Sequence, residues 1–390
     1  MNLLDKNSNA NILLAGIFAI IISIGVARFA FTSLLTPMLE DFLTVESAGL
    51  FASFNFMGYL SGAILTIFIT DINAKVKLFR LGVFLSVVTT LSLALTTNED
   101  VWFISRTLAG FGSALTFLVG SAIVMIKLDH EDKTKAMGIH FSGIGIGIVV
   151  SELISRYVLL NANWNCAWIV LGLFALFIGS YAVYMLSFEK ALRADAQKHK
   201  ASRSMFTPYV ILLILAYFAA GVGFVVQATF FPDIINSLEG LSGYGNLGWL
   251  VVGVSGVPSA ILWMKIARVY GSVNTIIMAF VLQIVGILIP AFTNDVMLNL
   301  LSGALYGTTF IAHVALFMHY GGKLAGKNPV IFMGAMTAAY GIGQVLAPLY
   351  SVYLFEKYGN YNTTLYLTAF LVSFGILFLL WAKSMGNLSK

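Results

Sequence analysis

Apolar stretches of roughly 20 residues, the length that spans a bilayer core, recur along this chain with only a few polar residues between them. In lipid no water serves the backbone N–H and C=O groups, so a lone stretch of this kind has to close its hydrogen bonds internally, as an α-helix. Twelve such spans are predicted, at residues 11–36, 47–70, 78–97, 101–126, 136–159, 165–187, 208–232, 245–267, 273–292, 296–318, 329–354 and 361–383. The polar punctuation is too short for an aqueous domain. Charged residues make up 10% of the chain, against roughly a quarter in a soluble domain, and mean hydropathy is +0.91. A soluble globular fold is therefore excluded, and an all-α polytopic membrane protein is expected. The first apolar stretch, 12–35, is longer than the ~7–15 residues of a secretory h-region, so the N-terminus is expected to stay attached. A single cysteine, Cys166, excludes a disulfide framework and a cysteine-based metal site, and no metal or other cofactor is expected.

The basic residues orient the spans. With the N-terminus in the cytoplasm, inside segments hold 18 of the 22 Lys and Arg residues, from Lys6 through the Lys75–Lys77–Arg80 and Lys190–Arg203 groups to Lys390. Outside segments hold Lys357 alone, and Arg28, Arg106 and Arg156 lie within spans. That asymmetry is the positive-inside pattern, and it places both termini in the cytoplasm of a multi-pass protein of the cell (inner, cytoplasmic) membrane. It also accounts for the formal charge of +5 through membrane lipids, with no nucleic-acid partner: no basic run with interleaved aromatics appears.

The chain repeats itself. Met137, Gly138, Gly145 and Gly147 in the fifth span match Met333, Gly334, Gly341 and Gly343 in the eleventh at an offset of 196, and Pro37 matches Pro232 at 195. The most charged inside segment, 188–207, falls between the two copies. Two pseudo-symmetric six-helix bundles are expected, at 1–187 and 208–390, joined by a cytoplasmic linker at 188–207. Parallel repeats of this kind build transporters that bind substrate where the halves meet. Gly138 and Gly145, like Gly334 and Gly341, stand seven apart and share one helical stripe, a seam for close packing or a hinge.

The run Arg106-Thr107-Leu108-Ala109-Gly110-Phe111-Gly112-Ser113-Ala114, with twelve spans and a central loop, resembles the major facilitator superfamily, whose fourth helix often carries Arg-x-x-x-Gly-x-Gly-x-Ala. The segment Gly25-Val26-Ala27-Arg28-Phe29-Ala30-Phe31-Thr32-Ser33-Leu34-Leu35-Thr36-Pro37 resembles the first helix of its YbfB/YjiJ-type branch. The resemblance covers nearly the whole chain and implies a secondary transporter whose helices 1, 4, 7 and 10 line a central cavity. Two motifs depart from the superfamily. Its loop between helices 2 and 3 reads Gly-x-x-x-Asp-Arg-x-Gly-Arg-Arg, whereas here Asp71 is followed by Ile72, Asn73, Ala74, Lys75, Val76 and Lys77. In the family that loop governs conformational preference, which leaves Asp71 as its remnant. The antiporter Gly-Pro step is absent from Gly143–Gly147.

A charge near the centre of a span costs at least ~2.5–3.5 kcal/mol, so the few present are informative. Arg28 and Arg106 are candidate substrate-binding groups, because a guanidinium fork matches carboxylate, sulfonate or phosphate bidentately. Glu152, the acidic residue deepest in any span, is the candidate proton-coupling group. Arg156 follows it by four residues and reads as its structural ion-pair partner. Weaker substrate-binding candidates are Asn55 with Tyr59 on span 2, Tyr217 and Gln227 on span 7, and Tyr306 and His313 on span 10.

No Gly-x-x-x-x-Gly-Lys-Ser/Thr run, His-Glu-x-x-His or Gly-x-Ser-x-Gly motif is present. The expected activity is therefore not enzymatic. It is secondary active transport by alternating access in a monomer, with proton-coupled uptake of a small organic anion preferred. Proton-driven efflux of amphipathic compounds or drugs is the alternative, and a non-transporting membrane sensor is an alternative of another class.

Overall fold

The computed structural model describes residues 5–69, 71–128, 133–187, 207–324 and 329–385. Among these the chain is helical, with no strands. The spans are α1 (Asn9–Leu39), α2 (Val45–Ile67), α3 (Ile72–Leu93), α4 (Glu99–Lys127), α5 (Lys133–Leu159) and α6 (Trp164–Met185). There follow α7 (Pro208–Asn236), α8 (Gly245–Gly256 and Ser259–Tyr270), α9 (Ser272–Phe292), α10 (Val296–Leu324), α11 (Pro329–Tyr358) and α12 (Asn362–Ser384). Eleven of them are long and apolar enough to cross a membrane as single helices, and α8, bent by 50°, makes the twelfth. The chain forms two compact units, Met1–Ser47 with Phe54–Gln197 and Ala48–Ser53 with Lys198–Lys390. Apart from Thr207, the expected linker at 188–207 lies outside the described residues.

Local chemistry sets the helix starts. Thr44, Asp71, Asn98, Asn163 and Thr207 precede α2, α3, α4, α6 and α7, and each side chain accepts a backbone N–H of the first turn. These are N-caps, and Pro208 follows Thr207 at the first helical position, where its missing N–H costs nothing. At the other end of α6, the ammonium of Lys127 donates to the carbonyls of Met185 and Ser187, at 2.7 and 3.0 Å.

Two elements differ from their sequence expectation. Helix α3 begins at Ile72 rather than 78, because apolar counting skips Lys75, Lys77 and Arg80, whereas the cap is set by Asp71, which accepts the Ala74 N–H at 2.7 Å. Helix α8 breaks at Val257 and Pro258. Proline offers no N–H to the carbonyl four residues back, and the Val254 carbonyl is taken instead by Val257, at 3.3 Å.

Helices α1 and α4 each contain a π-helical stretch, Ile21–Phe29 and Leu115–Val119. Helix α1 crosses α5 at two glycines. A Cβ on Gly25 would lie 2.5 Å from the Gly147 carbonyl oxygen, and one on Gly147 would lie 3.2 Å from the Gly25 Cα.

Candidate functional site

Among the described residues, the buried Asp, Glu, Lys and Arg side chains are Arg28, Arg106 and Glu152, all in the first unit. Arg28 sits in the π-helical stretch of α1, three residues beyond Gly25. Its guanidinium carbon stands 4.3 Å from the centre of the Tyr59 ring and 4.8 Å from that of Phe56, both on α2. Arg106, on α4, places its guanidinium 4.4 Å from the Phe31 ring of α1 and donates from Nη1 to the carbonyl of Ala27, at 3.2 Å. The donated bond ends on the residue next to Arg28. Glu152 lies five residues beyond Gly147 on α5 and is 0% exposed. Three spans intervene between α1 and α5, so both run in the same sense. From the Gly25–Gly147 crossing, Arg28 and Glu152 therefore lie on the same side, about 4 and 8 Å along the axis at ~1.5 Å per residue.

Arg156 does not complete an ion pair with Glu152. It is exposed and makes no ion pair among the described residues, while Glu152 is fully buried. Four residues carry a side chain about 6 Å along the axis and about 40° around it, and near the end of α5 that is enough to take it out of the bundle. The Asn55 amide is committed to the α2–α4 packing, donating to the backbone carbonyl of Arg106 at 2.9 Å. Asp71 is exposed and acts as the cap of α3. Of the seam glycines, Gly145, Gly334 and Gly341 are buried and Gly138 half-buried. The α1–α5 contact itself falls on Gly147.

In the second unit the expected residues lie in the bundle interior. Tyr217 stacks between Phe317 and Tyr340, with ring centres 4.6 and 4.5 Å away. Tyr306 donates its hydroxyl to the Phe224 carbonyl at 2.7 Å and stacks on Phe310 at 5.2 Å. His313 packs on Phe280, with ring centres 4.2 Å apart. Gln227 donates to the carbonyl of Gly286, at 3.4 Å, and Ser302 Oγ donates to the same oxygen at 2.6 Å.

Phe56 and Phe31 were not among the expected site residues. The signal for Phe56 was its spacing of three from Tyr59, which puts both rings on one face of α2. The signal for Gly286 and its donors was Pro290, four residues on, whose missing N–H vacates that carbonyl.

The sequence pattern of the family described as "Uncharacterised MFS-type transporter YbfB" matches residues 20–380. The chain belongs to this family. It is a multi-pass membrane protein of this MFS-type family. The fold agrees with a solved transporter: a crystal structure of a point mutant of the nucleoside transporter NupG superposes with a TM-score of 0.72 at 13% identity, covering 96% of this chain and 99% of that one. Among curated proteins, "Uncharacterized transporter" of Buchnera aphidicola is 22% identical over 260 residues, 63% of this chain and 62% of its own. "Protein SGE1" of Saccharomyces cerevisiae is 29% identical over 143 residues, 35% of this chain and 25% of its own. The matched region thus spans less than two thirds of either relative.

Proposed function

We propose that this YbfB-type transporter takes up a small organic anion together with protons, Arg28 and Arg106 holding the anion and Glu152 carrying the proton. The reading rests on one observation: the buried charges among the described residues are two guanidiniums and one carboxylate in a single unit. With Glu152 ionised they sum to one net positive charge in a low-dielectric interior, which favours an incoming anion. With Glu152 protonated the sum rises by one, so proton binding strengthens the pull on the substrate. Arg106 gives one N–H to Ala27, and in this reading both guanidiniums contribute to holding the anion. Tyr217, Gln227, Tyr306 and His313 have secondary parts at most, because their contacts lie within the second bundle.

Uptake into proteoliposomes under an imposed acid-outside gradient tests the proposal. The wild type is expected to accumulate a carboxylate and Arg28→Ala to lose it. Glu152→Gln is expected to lose gradient-driven accumulation while keeping counterflow exchange; loss of both processes would make Glu152 structural. Movement of amphipathic compounds driven by the opposite proton flux, with no anion uptake, would favour efflux instead.

A further inference from the structure

We infer that the π-helical stretch of α1 is a conformational switch latched by Ser113 of α4. While the latch holds, the stretch keeps its wide turn; on release it tightens to α-geometry and turns the Ala30–Leu39 end of α1 about its own axis. The switch goes beyond the reading of the substrate and operates whichever compound is carried. In an α-helix each carbonyl accepts the N–H four residues on, whereas here the Ala30 N–H bonds to the Gly25 carbonyl, five residues back. A turn of that kind holds a surplus residue. Tightening it swings everything beyond by ~100°, one residue's share of a 3.6-residue turn.

Wide turns are rare inside α-helices, and this one is supported from α4. Ser113 Oγ donates to the Ser23 carbonyl at 2.8 Å, and Arg106 Nη1 donates to the Ala27 carbonyl at 3.2 Å, so both acceptors lie within Ile21–Phe29. The two donors stand seven residues apart, on one stripe of α4. In α-geometry the same carbonyls would instead take the N–H groups of Ala27 and Phe31. Ser113 and Ser23 are both fully buried, so no water competes for the bond between them. Helix α4 widens as well, its own π-helical stretch beginning two residues after Ser113. Helix α5 meets α1 through glycine: a Cβ on Gly147 would lie 3.2 Å from the Gly25 Cα and 3.3 Å from that of Ile21. This crossing is the fixed point of the switch. Arg28 and Phe31 lie beyond it, and the Phe31 ring, 4.4 Å from the Arg106 guanidinium, leaves that contact when the stretch tightens. Two packings of one helix, separated by a hydrogen bond or two, form the kind of bistable element on which conformational cycles run.

Spin labels test the switch in the full-length purified protein, on cysteines introduced by Leu39→Cys at the end of α1 and Leu173→Cys on α6 in a Cys166→Ser background. The wild-type sequence is expected to give one main distance. Ser113→Ala should add a second, from a label displaced by up to about 8 Å, the chord of a ~100° turn on a helix ~10 Å across. Ser113→Thr keeps the hydroxyl and should restore the single distance. One unchanged distance in a folded Ser113→Ala protein overturns the inference. So does a second distance that Ser113→Thr retains, which would assign the change to packing. If Ser113→Ala does not fold, deletion of Val26 decides: without the surplus residue the stretch can run as an α-helix with both ends in their present directions, so the label should keep its wild-type distance. A turned label in that deletion variant overturns the inference.

Discussion

The Gly286 carbonyl of α9 shows how single residues satisfy polar groups inside this protein. Pro290 removes its normal partner, and Ser302 at 2.6 Å and Gln227 at 3.4 Å replace it from two other helices. Ser302→Ala leaves only the longer bond and is expected to cost about 1 kcal/mol, visible as a lower Tm in detergent. Gln227→Leu, which removes the longer bond, should lower Tm by less. Proline in the sequence announced the vacancy at Gly286 but not its occupants, because those come from spans that approach only on folding. The same holds for Arg156. Its spacing from Glu152 permits a helical pair, and its position at the rim of the bundle forbids it.

The two units repeat their helix crossings. In the first, α1 meets α5 at Gly25 and Gly147. In the second, α7 meets α11 at Gly221 and Gly343, both 196 residues on, where a Cβ on Gly343 would lie 3.1 Å from the Gly221 carbonyl carbon. Backbones this close leave no room for a side chain, so Gly147→Val and Gly343→Val should each destabilise their bundle by about 1–3 kcal/mol or more through overpacking, measured as lost monodispersity or lower Tm. The repeat extends to ties between helices. Arg106 of α4 reaches the Ala27 carbonyl of α1, and Tyr306 of α10 reaches the Phe224 carbonyl of α7. At the start of α6 the Trp164 indole donates to Asp41, and at the start of α12 the Tyr361 hydroxyl donates to Asp233. Helix α3 depends on its cap, and Asp71→Ala should cost about 1 kcal/mol with no change in substrate preference. Repeated glycines were legible in sequence. Which of them carries the contact was not, since Gly145 and Gly147 are both buried and only the crossing geometry distinguishes their roles.

Across the whole molecule the two units share a fold and divide the chemistry. Among the described residues, the first holds the buried charges, Arg28, Arg106 and Glu152, and the second holds stacked rings such as Tyr217, Tyr340 and Phe317. Orientation in the membrane is open to a direct test, because Cys166 is the single cysteine, is free, and lies exposed at the start of α6. If the basic residues face the cytoplasm, a membrane-impermeant maleimide added to intact cells should label the wild type and leave Cys166→Ser unlabelled. Labelling only after the membrane is opened would reverse the orientation.

The sequence by itself determined the class of protein, the number and approximate extent of the spans, the repeat and the short roster of charged residues in apolar surroundings. Each of these follows from local facts: a bilayer demands a fixed length of apolar helix, and charge in lipid is too costly to persist by accident. Tertiary structure decided what those residues touch. It put Arg28 beside the Tyr59 and Phe56 rings of α2, gave one Arg106 N–H to a backbone carbonyl, buried Glu152 and exposed Arg156. The physical reason is that helical periodicity gives a residue's direction around its own axis, whereas its partners depend on where other helices cross, and the glycines that set those crossings act only in pairs from distant parts of the chain.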